Sequence, residues 1–346
     1  RLQELLYDLN VDSQKLANVI EWVRVREKLR RQYQIFRKAA AGVSKYGMDK
    51  AMTAVATPFL NSFSQDLTLA AKFGHLEPCV ARDGEIEEIF RIIEGGRQSG
   101  ALGGDHGVGK MSVVEGIVAR MIEGAVPKRL RDKRLVQIST SALLAGTTVS
   151  GAQERLLRMM NEIRRAGNII LFINGIHDLV GGSPGEGGEG LDVSEALSEH
   201  LGPGGVVAFA TTTVDGFNRH ISNSQLGNVM ARVDIKEMNE NQAIQVLESK
   251  AGPIEYKHNV FFSYDALEQA VRLAKRYLHD QNLPESAIAL MSESAALARS
   301  RKGGTTLVSA DDVGAVVAQK TGVPATSISA DESSKLLRLE EVMHSR

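Results

Sequence analysis

The residue types best suited to chemistry lie in one glycine-rich segment within the first third of the chain. The segment has the pattern Gly-x4-Gly-Lys and consists of Gly104, Asp105, His106, Gly107, Val108, Gly109 and Lys110. Glycines let backbone N–H groups surround a polyphosphate, the N-terminus of a following helix adds a positive dipole end, and a lysine supplies a point charge. We therefore predict a phosphate-binding loop that opens a helix.

The residues after the lysine lack a usual feature of such loops. A Ser or Thr hydroxyl directly after the lysine would bind Mg2+, but the chain has Met111 there. Ser112 comes next and is rotated by about 100° around the helix, so we do not expect it to replace the missing hydroxyl. The loop predicts a nucleotide polyphosphate contacted by residues 104–112, with any Mg2+ held mainly by the phosphates.

Length and composition restrict the class of protein. The chain has 346 residues, of which 43% are apolar and 24% charged, and its net charge is −1. It is long enough for two or three domains, and its charge gives no global attraction to nucleic acid or membranes. The single cysteine, Cys79, excludes an internal disulfide and favours the cytoplasm. No apolar run of about 18 residues predicts a membrane span.

Strand and helix patterns alternate around the loop. Continuous apolar runs predict buried parallel strands at 135–138, 169–173 and 206–210, and a short glycine-bearing strand at 101–103 should lead into the loop. This alternation predicts an α/β fold, a doubly wound parallel sheet with the loop at the carboxyl end of a strand.

The patterns in the rest of the chain mainly predict helices. Helical segments at 240–250, 264–279, 284–300 and 310–320 are separated by breaker residues that include Pro253, and they predict a small all-helical second domain. Residues 61–100 read as short helices before the loop. Residues 41–60 read as a linker, the glycines between 181 and 190 as a surface loop, and residues 331–346 as one more charged helix.

The first 40 residues also read as helices, with a break at 10–13. Between Glu21 and Lys38 there are seven basic and two acidic residues, and an apolar stripe at helical spacing is formed by Trp22, Val25, Leu29, Tyr33 and Phe36. Two interpretations stay open. The stripe packs under a solvated charged face, or the helix is a basic amphipathic element for a membrane surface or an acidic partner.

Five stretches make the chain similar to the first ATPase module of Clp-type AAA+ unfoldases, the ATP-binding subunits of Clp proteases and disaggregases. They are Gly107–Lys110, Leu130–Leu135, Ala166–Ile173, Ile176–Gly181 and Leu283–Ile288. The resemblance runs from about residue 50 to 345. It implies a helical N-terminal extension, a linker, an AAA+ P-loop α/β domain, a helical lid domain and a C-terminal linker helix, at 1–45, 46–70, 71–237, 238–325 and 326–346 respectively.

Carried over by position, the resemblance places several family functions on residues that cannot perform them. The Asp-Glu pair that holds the metal and orients water falls at Asn174 and Gly175, an amide and a residue without a side chain. The two arginine fingers fall at Asn228 and Val229, with Arg232 as the nearest substitute. The sequence therefore predicts no catalytic residues and no protein metal site.

The resemblance also assigns contacts to substrate and nucleotide. The axial pore loop falls at Thr148, Val149, Ser150 and Gly151, so a valine takes the place of the aromatic residue that grips substrate. The threonine that senses the γ-phosphate is retained as Thr212 or Thr213. Family adenine contacts fall at Val80, Ala81 and Ile288.

Three functions stay open from the sequence. The first is a pseudo-ATPase that binds ATP or ADP and acts as a scaffold or regulator with other Clp-like subunits, in a homo- or hetero-oligomer such as a hexameric ring, with a protein client or protease as a further partner. The second is an active unfoldase subunit in which another acid, nearest Asp178, replaces the lost pair. The third is a protein-binding module with an inert nucleotide fold that recruits its partner through residues 1–45.

Overall fold

The structure is a computed structural model that describes residues 13–40, 55–96, 99–180, 193–202, 204–303 and 305–323. The predicted helix before residue 13, most of the predicted linker, the glycine-rich loop at 181–190 and the tail helix at 331–346 lie outside these residues. The chain folds as two compact units. The sheet unit is residues 26–236, and the helical unit consists of the described parts of Arg1–Val25 and Glu237–Arg346.

A six-stranded sheet forms the centre of the sheet unit. Its strands are β1 (Ser64–Asp66), β2 (Ser99–Gly103), β3 (Arg134–Ile138), β4 (Ile169–Ile173), β5 (Ala208–Thr212) and β6 (Met230–Asp234). The order is β1-β3-β4-β5-β2-β6, and every neighbouring pair is parallel except β1 with β3. The α/β prediction is confirmed. The antiparallel edge strand β1 was missed, because its three polar residues carry no apolar pattern and lie in a segment predicted as helix.

Helices pack on both faces of this sheet. They are α2 (Pro58–Ser62), α3 (Leu67–Lys72), α4 (Asp83–Glu94), α5 (Lys110–Glu123), α6 (Thr140–Leu144), α7 (Val149–Ala166), α8 (His177–Val180), α9 (Ser194–Leu201), α10 (Val214–Gly216) with the π-helical turn Phe217–Ile221, and α11 (Gln225–Val229). Alternate residues of β4 enter opposite cores. Leu171 packs in the cluster that contains α7 and α9, whereas Phe172 packs in the cluster of α3, α4 and α5. The doubly wound arrangement follows from this alternation. The predicted linker at 46–70 thus contains regular elements from Pro58 onward.

The helical unit departs from the all-helical prediction in two places. Its elements are α12 (Glu240–His258), β7 (Val260–Phe262), α13 (Tyr264–Tyr277), α14 (Glu285–Lys302), β8 (Thr306–Val308) and α15 (Ala310–Thr321). The short strands β7 and β8 pair in parallel. Pro253 does not end its helix: a capping box at Asn239 starts α12, and left-handed Asn259 ends it beyond the proline. The capping residues, and not the proline, set the two ends of this helix.

One long helix, α1 (Ser13–Ala40), precedes these elements, and its first half belongs to the helical unit. Of the predicted apolar stripe, Val25 is buried, whereas Tyr33 is 64% exposed. The stripe is therefore only partly packed. Within the part of the chain that the structure describes, no helix is long and apolar enough to cross a membrane.

Candidate functional site

The predicted phosphate loop follows the carboxyl end of β2, a strand paired on both sides. Gly104 N donates to Thr212 O at 3.2 Å, and Ile235 N donates to Gly103 O at 2.7 Å, so the loop begins between the ends of β5 and β6. A Cβ atom added to Gly104 would lie 2.5 Å from Ile235 O. Glycine at this position is required by the close approach of two backbones.

The loop backbone bends through two glycines with left-handed conformations. Gly107 has φ of +83° and Gly109 has φ of +90°, and the second of these residues is the N-cap of α5. Between them Val108 is 2% exposed and packs in the apolar core, whereas Asp105 and His106 are exposed. The loop is thus anchored by one buried side chain, and the N-terminus of α5, the positive end of the helix dipole, lies at its rim.

The lysine of the motif lies over this backbone. Lys110 Nζ donates to Gly104 O and Asp105 O, both at 2.7 Å, which brings the ammonium group to the mouth of the loop. A cation, a helix N-terminus and a bent glycine-rich backbone together form a fitting site for a polyphosphate. The residues present fit the phosphates of a nucleotide.

The same segment does not fit a magnesium ion. Met111 is half-buried and packs against the apolar cluster of α3, α4 and α5. A thioether in an apolar cluster is not an oxygen ligand of the kind Mg2+ requires. Ser112 Oγ lies 3.9 Å from the position that a Cβ atom on Gly109 would take, so Ser112 is close to the last glycine of the loop.

The carboxyl ends of β4 and β5 form the second part of the site. Thr211 Oγ1 donates to Asn174 Oδ1 at 2.5 Å and accepts from Gly175 N at 3.0 Å. The oxygen through which Asn174 could contact a metal is therefore held by Thr211. Among the residues that the structure describes, no group of three or more His, Cys, Asp or Glu side chains could hold a metal ion.

Gly175 adopts a turn that a side chain would disturb. Its φ is +69°, and a Cβ atom there would lie 2.9 Å from Asp178 Oδ2. Asp178 N donates to Gly175 O at 3.0 Å, so α8 begins by folding back over this glycine. Asp178 is 67% exposed and its Oδ1 lies 3.6 Å from His177 Nε2. The carboxylate of Asp178 thus occupies the space next to position 175.

The structure separates the two threonines that the sequence left as alternatives. Thr212 is 1% exposed, its carbonyl accepts from the first glycine of the loop, and its hydroxyl lies 3.4 Å from His177 Nδ1. Thr213 Oγ1 instead accepts from Gly216 N at 2.9 Å and caps α10. Thr212 is the threonine beside the loop, and Thr213 serves the fold.

Comparisons with known proteins agree with this architecture. The model described as "ATPase family associated with various cellular activities (AAA)" matches residues 101–232, and the "AAA lid domain" model matches residues 239–342. The chaperone protein ClpB of Oceanobacillus iheyensis and the negative regulator of genetic competence ClpC/MecB of Bacillus subtilis are each 30% identical to this chain over 352 residues. The chain belongs to the Clp-type AAA+ family.

These alignments cover 84% of this chain and 43% of each relative, so the chain spans less than half the length of the curated relatives it matches. Among solved structures, the S. cerevisiae Hsp104–ADP complex is similar with a TM-score of 0.74 and 27% identity, over 82% of this chain and 49% of that chain. The extended S. cerevisiae Hsp104:casein complex is similar with a TM-score of 0.69 and 29% identity, over the same shares.

The two positions to which the resemblance assigned arginine fingers carry no cation. Asn228 is exposed, and Val229 packs against the apolar core. The nearest arginine, Arg232, donates to Asp234 Oδ1 at 2.5 Å and to Asn218 Oδ1 at 3.1 Å. Its guanidinium also lies 5.3 Å from the centre of a phenylalanine ring of the same unit. Arg232 is held by its own unit and not extended as a finger.

The predicted Clp pore loop is part of a helix in this structure. Thr148 is the N-cap of α7 and accepts from Gly151 N at 3.3 Å, and its hydroxyl lies 3.1 Å from that of Ser150. The side chain of Val149 lies outside the described residues. Thr148 therefore caps the first turn of α7, which contains the other three positions. A role of these residues in contacting substrate stays a prediction.

The three predicted adenine contacts divide between the units. Val80 is buried in the sheet unit and Ala81 follows it with φ of +59°. Ile288 lies on α14 of the helical unit, where it is half-buried. Arg82, which follows this segment and reaches the phosphate loop, was not among the predicted site residues. An arginine next to an apolar pair at the start of a helix was the available signal.

Proposed function

We propose that this chain is a nucleotide-binding Clp-type module with little or no ATP hydrolysis, which acts as a scaffold or regulator. The observation that carries the proposal is the state of Asn174, whose side-chain oxygen is held by Thr211 beside an intact phosphate loop. On this proposal the backbone that binds phosphate is retained, and the side chains that activate water and hold the metal in an active ATPase are lost.

The proposed ligand is ATP or ADP. The loop from Gly104 to Lys110 would hold the phosphates, Thr212 would lie beside them, and the segment at Val80 would contact the base. Two similar structures are nucleotide complexes, Hsp104 with ADP and Hsp104 with ATPγS. Because the donor set for Mg2+ is absent from the described loop and strand ends, nucleotide affinity should depend little on magnesium.

The expected rate losses are large enough to favour nearly complete loss of ATP turnover over modest slowing. Loss of a general base costs on the order of 10²–10⁴ in rate, and loss of an arginine finger costs about 10³–10⁵. These effects are not additive, but either one alone would lower a typical turnover of about 10 s⁻¹ to a marginal rate. Nucleotide binding is less affected, since backbone N–H groups and Lys110 provide it.

Active hydrolysis is the second candidate, and one observation favours it. The carboxylate of Asp178 lies beside the position where a side chain at residue 175 would start. If Asp178 orients water there, then Asp178→Asn removes turnover while nucleotide affinity stays unchanged. Absence of phosphate release from the wild-type chain excludes this candidate.

Partners follow from the same proposal. Relatives are named as ATP-binding subunits of the Clp protease and as chaperones, and one similar structure contains casein. We expect this module to assemble with Clp-like subunits, as a homo- or hetero-oligomer such as a hexameric ring, and to act on or with a client protein or protease. A cytoplasmic location stays a prediction.

Titration calorimetry with ATP and ADP, with and without Mg2+, tests the binding part of the proposal. We expect saturable heat with both nucleotides, a thermal shift on binding, and similar affinities in the two magnesium conditions. Lys110→Ala is the control, and it should weaken the binding of both nucleotides. Absence of heat and of a thermal shift with the wild-type chain would support the inert binding module instead.

A further inference from the structure

Arg82 is a charged side chain enclosed in the sheet unit. It is 2% exposed and lies at the N-cap of α4, between the Val80–Ala81 segment and the helix. Arginine is almost never fully buried unless it is paired, because taking its charge out of water is costly. A cation kept in this place therefore has partners that matter to the structure.

The partners of Arg82 belong to three different segments. Its Nη2 atom donates to Val108 O at 2.5 Å and to Lys236 O at 2.9 Å. Its Nη1 atom forms an ion pair with Glu85, one turn along α4. A planar guanidinium can satisfy several acceptors at fixed angles, which an ammonium cannot do in the same way. The side chain thus ties the phosphate loop to α4 and to the residues after β6.

The hydrogen bond from Arg82 to Val108 O acts on a part of the loop whose backbone has little conformational preference of its own. Val108 stands between two glycines with positive φ, and glycine has little conformational preference of its own. In a trans peptide the C=O and the following N–H point in opposite directions. Since the Val108 carbonyl faces the buried guanidinium, the N–H of Gly109 points away from it. Arg82 fixes the orientation of that peptide.

We propose that Arg82 is a positioning residue that holds the phosphate loop in its nucleotide-binding shape and connects it to the adenine segment at Val80. This inference rests on the proposed nucleotide function for its consequence, but the effect of Arg82 on the loop stands by itself. Arg82 does not touch the nucleotide in this account. It acts through the Val108 carbonyl.

The test uses hydrogen exchange of the whole chain without nucleotide. Arg82→Lys keeps the positive charge but removes the fork that bridges Val108 and Lys236. We expect amides of residues 105–110 to exchange about 10-fold faster or more, which corresponds to loss of a hydrogen bond to a charged group. Unchanged exchange in the loop, at equal global stability, would overturn the inference.

Arg134 offers a matched control in the same unit. It is largely buried and also bridges two segments, through Asp66 Oδ2 at 3.4 Å and Thr57 Oγ1 at 3.0 Å. Arg134→Lys should raise exchange around residues 57–66 and leave the loop unchanged. If both variants speed loop exchange equally, then Arg82 is only a stabilising residue and the inference is wrong.

Nucleotide titration separates this inference from the proposed function. If the wild-type chain binds ATP, Arg82→Lys should weaken binding by about 10- to 100-fold, and Arg134→Lys should leave it unchanged. No ATP binding by the wild-type chain refutes the proposed function and leaves the exchange result to decide the role of Arg82.

If Arg82→Lys fails to fold, measurements on the wild-type chain test the same coupling between Arg82 and the loop. In the wild-type chain, ATP should shift the side-chain 15N resonances of Arg82 and leave those of Arg134 in place. Loop amides should lose exchange protection together with the Arg82 guanidinium protons as denaturant is raised. Loop amides that open while the Arg82 protons stay protected would contradict the coupling.

Discussion

The phosphate loop and the residues after β4 and β5 lie at the carboxyl end of the same parallel strands, but different parts of the chain form them. The loop is built mainly from backbone, and Gly104 is required there by its approach to Ile235 O. The strand ends are held by side chains, and there Thr211 bonds to Asn174 Oδ1 and to Gly175 N. A function carried by backbone persists as long as the fold does, whereas one carried by side chains can be lost while the fold is kept.

The changed strand ends are themselves well packed. Thr211 holds Asn174 and Gly175 together, and Asp178 lies over the glycine. These residues form a consistent turn in which each polar group has a contact. On the proposed function, a phosphate site that is retained lies beside strand ends that no longer support hydrolysis. Single substitutions can test each side of it.

Removal of the loop cation should have the largest effect. Lys110→Ala should weaken ATP and ADP binding by about 10- to 100-fold, because it deletes charge-assisted hydrogen bonds to phosphate. Lys128, an exposed lysine of the same unit, is the control, and Lys128→Ala should leave affinity unchanged. Calorimetry measures both. Equal affinities for wild type and Lys110→Ala would mean that the loop is not the nucleotide site.

Reinstating the family acid at position 175 should destabilise the chain and fail to restore activity. Gly175→Glu places a side chain at φ of +69° and 2.9 Å from Asp178 Oδ2. We expect a loss of about 1–3 kcal/mol in the free energy of unfolding, measured by urea denaturation.

Gly175→Ala is the control for the backbone effect, and Gly175→Glu with Asp178→Ala relieves the contact but not the strain. A Gly175→Glu variant that is as stable as wild type and releases phosphate rapidly would contradict both the backbone strain at position 175 and the proposed loss of hydrolysis.

The hydroxyl of Thr211 should matter to the turn and not to the loop. Thr211→Val keeps the shape but removes the hydrogen bonds to Asn174 Oδ1 and Gly175 N. The expected cost is about 1 kcal/mol of unfolding free energy, with nucleotide affinity unchanged. A large loss of affinity in this variant would show that the two parts of the site are not independent.

A buried acid in the helical unit provides a smaller, independent effect on stability. Glu248 on α12 is 7% exposed, and within the described residues its two carboxylate oxygens have no hydrogen-bond partner. Burial, together with the charge of Glu21 on α1, raises the pKa of Glu248 from 4.5 to about 7. Tyr264 on α13, whose pKa is also raised by burial, feels the charge of Glu248 and accepts from Asn18 Nδ2 at 2.7 Å.

The sign of the pH dependence follows from this pKa. The folded chain binds more protons than the unfolded chain between pH 4.5 and about 7, so the free energy of unfolding should fall as pH rises through that window. Glu248→Gln should remove this part of the dependence, on the order of 1 kcal/mol after solvent screening. A pH profile identical to wild type would contradict it. ATP affinity should not change, because Glu248 is not part of the loop or the strand ends.

The sequence predicted what depends on local patterns and missed what depends on distant contacts. The strand at Ile169–Ile173 and the phosphate loop were predictable, because an apolar run and a glycine spacing are local signals. Arg82 was missed, since its partners Val108 and Lys236 lie 26 and 154 residues away in sequence. The pairing of β7 with β8 was missed for the same reason. The cap at Asn259 was predictable from the sequence, because asparagine favours the left-handed conformation, but Pro253 was given more weight as a helix breaker.

Phosphate release from the wild-type chain at saturating ATP and Mg2+ tests the central claim most directly. The account predicts a rate below about 10⁻² s⁻¹, some 10²-fold under the low end of ordinary enzymes, from a chain that binds ATP saturably in the same buffer. Release at about 1 s⁻¹ or faster, dependent on magnesium and abolished by Lys110→Ala, would contradict it.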